Sequence, residues 1–115
     1  SLIDCINEFY YFFDLCPYLR GLLFCPDFQG ERCFEISRMN IYHIKNLQDI
    51  TNKNPDLIGK YRKPKDGMIQ SILRREKLTP PFTSQEIMMI GDRLEDEAAA
   101  KAADISFMWA SDWLK

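Results

Sequence analysis

Apolar residues along the chain fall into short blocks separated by polar breakers, and the spacing within each block predicts its secondary structure. Leu2, Ile3, Ile6, Phe9 and Phe13 recur at helical intervals behind a capping Ser1 and ahead of Pro17, which predicts a helix over residues 2 to 15. Gly21-Leu22-Leu23-Phe24-Cys25 is a continuous apolar run closed by Pro26, too short for a helix and suited to a buried strand at 22 to 25. The pattern turns irregular from Asp27 to about Arg62, where Gly30, Asn52, Asn54-Pro55 and Gly59 act as breakers. A brief strand at Cys33 to Ile36 and a helical turn at Ile44 to Ile50 are the elements expected there. Asp66 caps a helix from Gly67 to Glu76, and Thr79-Pro80-Pro81 stops it. Ile87-Met88-Met89-Ile90 then reads as a strand ending at Gly91-Asp92, followed by an alanine-rich helix from Leu94 to Ala103 and a second strand from Ile105 to Trp109. Strand, helix, strand at this spacing is a βαβ unit, so the expected fold class is α/β: a Rossmann-like parallel sheet with flanking helices.

Length and composition narrow this picture. At 115 residues the chain suits one compact domain, and 46% hydrophobic with 28% charged residues fits a folded, soluble protein. A net charge of -2, with the single short basic run Lys60 to Lys65, gives no reason to expect nucleic acid as a partner. The Phe9 to Leu15 run is interrupted by Asp14 and ended by Pro17, so no membrane span is expected. Cys5, Cys16, Cys25 and Cys33 occur without a signal peptide, which points to a reducing cytoplasm and free thiols. A chain starting at Ser1 rather than Met suggests that an upstream segment was removed.

Two segments carry candidate chemistry. In Gly91-Asp92-Arg93-Leu94-Glu95-Asp96 a strand ends and a helix begins, the place where open α/β sheets bind ligands. Asp92 and Asp96 are four residues apart and can face one side of the turn, offering oxygen ligands to a hard cation such as magnesium. The same acids also read as a helix cap that complements the dipole. In Tyr61-Arg62-Lys63-Pro64-Lys65-Asp66-Gly67-Met68 a cationic cluster precedes a helix. Arg62 offers a planar fork for phosphate oxygens and Lys63 a compact charge, although a solvated basic turn would look alike.

Taken together with Cys25-Pro26-Asp27 and Ala98-Ala99-Ala100-Lys101-Ala102-Ala103, these segments resemble the haloacid dehalogenase-like (HAD) hydrolases, in particular the histidinol-phosphate and heptose-bisphosphate phosphatase subgroup, subfamily IIIA. The resemblance implies a phosphoric monoester hydrolase acting on a phosphorylated small molecule. It makes Lys63 the lysine that steadies the phosphoryl group, Arg62 a substrate contact, and Asp92, supported by Asp96, the magnesium site. It also implies a nucleophile strand ending in Asp-x-Asp, yet no Asp-x-Asp occurs in the sequence. A family strand ending in Ser or Thr is missing as well; Ile50-Thr51-Asn52 has suitable residues in the wrong place.

The first two strands of the family fold are therefore expected to be absent, with about 50 to 60 further N-terminal residues in the active parent, on ordinary strand and loop lengths. Such an open seam invites association with a second copy or with a strand-complementing N-terminal segment. Zinc is not expected. Relatives of this subgroup carry a loop with three Cys and one His, whereas here Cys25 and Cys33 remain, Asp27 stands at the His position, and Gly59 and Tyr61 replace the last two Cys; His43 is the sole histidine. Phe28, Phe34 and Tyr42 read as core more readily than as pocket wall. A non-catalytic remnant that binds phosphate or a protein partner is the alternative to a phosphatase, and a plain α/β interaction domain is a third reading.

Overall fold

A computed structural model describes residue 7, residues 21–39 and residues 44–114. The helix expected over residues 2 to 15 apart from Asn7, together with Cys5, Cys16, Tyr42 and His43, lies outside them. The described elements are β1 (Gly21–Phe24), β2 (Phe34–Met39), β3 (Ile44–Asp49), α1 (Gly67–Arg75), β4 (Met88–Gly91), α2 (Leu94–Ala102), β5 (Ser106–Trp109) and the short α3 (Ala110–Trp113), with single 3-10 turns at Thr51–Lys53 and Pro55–Leu57.

The βαβ expectation holds at the C-terminal end. β4 and β5 pair in parallel, Met88 opposite Ser106 through Gly91 opposite Trp109, and α2 connects them. Its alanines make this possible: Ala99 and Ala100 are fully buried, and side chains this small let a helix lie close to its neighbours.

The stretch from 27 to 62 is more ordered than its breakers suggest. β1, β2 and β3 form a separate antiparallel sheet in that order, with Phe24 opposite Phe34 and Phe34 opposite Asp49. Ile44 to Asp49 is thus a strand, not the helical turn expected. Ile44 and Leu47 are three apart, which reads as helical, but β2 offers a full ladder of partners and pairing overrides local spacing. β1 is confirmed as a strand, yet its neighbour is the antiparallel β2 and not a member of the parallel sheet. The Phe24 and Phe34 rings stack across the pair, with centroids 5.5 Å apart.

Helix α1 packs between two apolar clusters. Met68 joins Cys33, Ile50, Leu57 and Tyr61 beside the antiparallel sheet, while Ile69 and Leu73 join Ala99 and Ala103 beside the parallel one. Among the described residues Tyr61 is the largest fully buried side chain, and its hydroxyl donates to the Thr51 carbonyl at 3.0 Å. Thr51 in turn accepts the Cys33 N–H at 2.9 Å and lies 2.6 Å from Asp49 Oδ1, so its hydroxyl closes the end of the β2–β3 hairpin. Among the described residues no helix is long and apolar enough to cross a membrane.

Candidate functional site

Glycine sets up both halves of the site. Gly67 opens α1 with its N–H on the Lys60 carbonyl at 2.8 Å, and a Cβ there would come within 2.6 Å of that carbonyl carbon. This close approach fixes the Arg62-Lys63 turn against the start of the helix. Gly91 ends β4, and a Cβ on it would lie 2.5 Å from the Asp96 Cβ. The bare backbone lets the Asp96 side chain fold back over the strand end, which explains physically why a glycine stands five residues before this aspartate.

Asp96 is almost completely buried, and both of its carboxylate oxygens are engaged. Oδ2 accepts the N–H groups of Asp92 and Arg93 at 3.1 and 3.2 Å, closing the first turn of α2. Oδ1 accepts from Lys63 Nζ in an ion pair. Burial acts against the charge, but the Lys63 hydrogen bond and charge and the two backbone N–H groups outweigh it and hold the Asp96 carboxyl below its ordinary range. The cationic turn and the acidic turn, distant in sequence, thus meet through one buried charge pair.

Around that pair lies an open cavity of about 440 Å³. Leu23, Phe24 and Cys25 form its wall at the carboxyl end of β1, and Asp92, Arg93 and Glu95 form it beyond the carboxyl end of β4. Arg62, Lys63 and Met68 close the third side. All four sequence-derived site residues, Arg62, Lys63, Asp92 and Asp96, therefore line one cavity. Asp92 is exposed at its rim, whereas Asp96 stands behind the lysine with its oxygens already bonded. Magnesium is commonly held by one or two carboxylates, water and substrate phosphate, so Asp92 suits a direct ligand and Asp96 suits a support. Among the described residues no group of three or more His, Cys, Asp or Glu is placed to hold a metal.

The remaining candidates sit elsewhere or act otherwise. Thr51 is tied to Cys33 and Asp49 and does not line the cavity. Asp27 caps its own turn, accepting the Glu31 and Arg32 N–H groups at 2.8 and 3.1 Å, and these bonds hold its carboxyl below the usual range. Cys25 and Cys33 are free thiols flanking the Tyr61 cluster; burial, with the Cys25 and Asp49 charges, pushes Cys33 up to about 12. A neutral thiol in an apolar cluster is a poor metal ligand. Phe34 is half-buried in the β1–β2 stack, but Phe28, read from sequence as core, is 81% exposed. Its Asp27-Phe28-Gln29 setting offered no periodicity to reveal this.

No curated protein and no solved structure matches the chain. Residues 60–111, just under half of the sequence, match the family model described as HAD-hyrolase-like. The matched segment runs from the cationic turn through the acidic turn to β5, so the part of the chain that builds most of the cavity is similar to HAD-like hydrolases.

Proposed function

We propose that the cavity binds the phosphate of a small phosphomonoester beside a magnesium ion, as the phosphate- and cation-binding half of a HAD-type phosphatase site. The observation that carries this reading is the Lys63–Asp96 pair, which holds an ammonium group at the mouth of a cavity that also contains the Arg62 fork and the Asp92 carboxylate. Arg62 and Lys63 supply donors to phosphate oxygens. Asp96 positions Lys63 and the backbone of Asp92, leaving the Asp92 carboxylate free to face the cavity. Magnesium bound there would neutralise charge on the phosphoryl oxygens. Cys25-Pro26-Asp27 and the Arg62 to Met68 segment favour the histidinol-phosphate and heptose-bisphosphate phosphatase subgroup.

The absence of any Asp-x-Asp from the sequence favours a second reading, in which this chain binds phosphate without turning it over. Turnover then needs an aspartate from another segment or chain, because the aspartyl intermediate requires that nucleophile. Calorimetric titration of inorganic phosphate, with and without magnesium, tests the binding shared by both readings. Phosphate affinity that rises with magnesium, loses that rise in Asp92→Asn and falls in Lys63→Ala is expected; affinity indifferent to magnesium and to both substitutions overturns the assignment. Release of phosphate from p-nitrophenyl phosphate separates catalysis from binding alone.

A further inference from the structure

Phe28 lies 81% exposed, yet it is not a loose side chain. The Arg62 guanidinium carbon sits 4.4 Å from its ring centroid, a stacking distance for a cation on an aromatic face. The turn beneath it is built: Asp27 caps Glu31 and Arg32, and the Gly30 carbonyl accepts the Gly59 and Tyr61 N–H groups at 2.9 and 3.1 Å. Gly30 has a φ of +70°, and a Cβ there would come within 3.0 Å of the Arg62 nitrogen, so the Phe28 loop is clamped to the strand of chain that leads into Arg62.

Phe28 and Arg62 also line a second cavity, of about 200 Å³, with Lys63, Pro64 and Lys65. Arg62 and Lys63 line both cavities, which therefore share a wall at these two residues. A phosphate seated on Arg62 and Lys63 would hold its ester group next to residues that line this second cavity. What the second cavity offers is flat: one guanidinium plane, one phenyl ring and a proline ring, with two more cations at its edge. Flat π surfaces and guanidinium planes take planar unsaturated partners by stacking and cation–π attraction, which a saturated chain cannot reproduce.

We propose that Phe28 and Arg62 form a stacking platform that selects phosphomonoesters whose alcohol part is a planar aromatic or heteroaromatic ring. This rests on the phosphate reading above and adds the substrate class to it. Equilibrium binding of inorganic phosphate, methyl phosphate and phenyl phosphate to the full chain in magnesium tests it, using wild type, Phe28→Leu and Phe28→Tyr. Phenyl phosphate is expected to bind about two- to fivefold tighter than methyl phosphate in wild type, the size of one exposed stacking contact. The ratio should fall to about one in Phe28→Leu, which stays apolar but loses the flat face, and persist in Phe28→Tyr. Equal binding of the two esters by wild type, or a preference that survives in Phe28→Leu, overturns the platform while leaving phosphate binding intact. Failure of inorganic phosphate to bind at all removes the phosphate reading and the platform with it.

Discussion

Tyr61 shows how much of one cluster a single residue can carry. It stands where the family resemblance would put a metal-binding cysteine, and it is fully buried against Cys33, Ile50 and Leu57. Its ring fills the volume, and its hydroxyl satisfies the Thr51 carbonyl. Tyr61→Phe should keep the volume and lose the bond, lowering stability by about 0.5–1.5 kcal/mol in urea unfolding. The same cluster governs Cys33. Because burial raises its folded pKa to about 12, the fold favours the protonated thiol, and that contribution to stability is fully present below the unfolded thiol range and lost as pH rises toward 12. Iodoacetamide at neutral pH should therefore leave Cys33 unmodified in the native protein and modify it in urea; equal labelling in both states would show the thiol to be open.

At the scale of elements, helix ends are where the sequence misled least and the geometry adds most. Both long helices stop in the same way. Lys77 and Asp104 adopt φ of 56° and 58°, and the N–H groups of Leu78 and Ile105 reach back to Leu73 and Ala100, each at 3.0 Å. This closure satisfies the last carbonyls and sends Leu78 and Ile105 into the cluster built on Leu73 and Ala99. Neither position is glycine, so each carries the cost of a left-handed side chain. Lys77→Gly, at an exposed site, should raise thermal stability by about 0.5–1 kcal/mol. β4, α2 and β5 were legible to within a residue because an uninterrupted apolar strand and an alanine-rich helix leave few alternatives. β3 was not, because Ile44-Lys45-Asn46-Leu47-Gln48-Asp49 has little strand preference of its own and takes its conformation from β2.

Across the whole molecule, the antiparallel sheet and the parallel pair belong to separate hydrogen-bonded ladders, and two features join them: the wedge of α1 and the Lys63–Asp96 pair. The meeting of Arg62-Lys63 with Asp92-Asp96 was legible only through the family resemblance, which gives the two segments roles at one phosphate and magnesium site, while the spacing of each alone also fits a solvated turn or a helix cap. The direction of Phe28 was not, because it depends on a backbone clamp between residues 30 and 59–61 that no local spacing encodes. The charge pair titrates. Asp96 has a depressed folded pKa, so its contribution is present above the ordinary aspartate range and is lost as pH falls through the lowered folded value. Protonation removes the partner of Lys63 while both groups flank the cavity, so the loss should loosen the junction between the two sheets. Unfolding free energy measured from pH 6 down to pH 3 should consequently fall more steeply in wild type than in Asp96→Asn, which is less stable at pH 6 but lacks this titration. Parallel pH profiles for the two proteins would mean that the pair does not couple the halves of the fold.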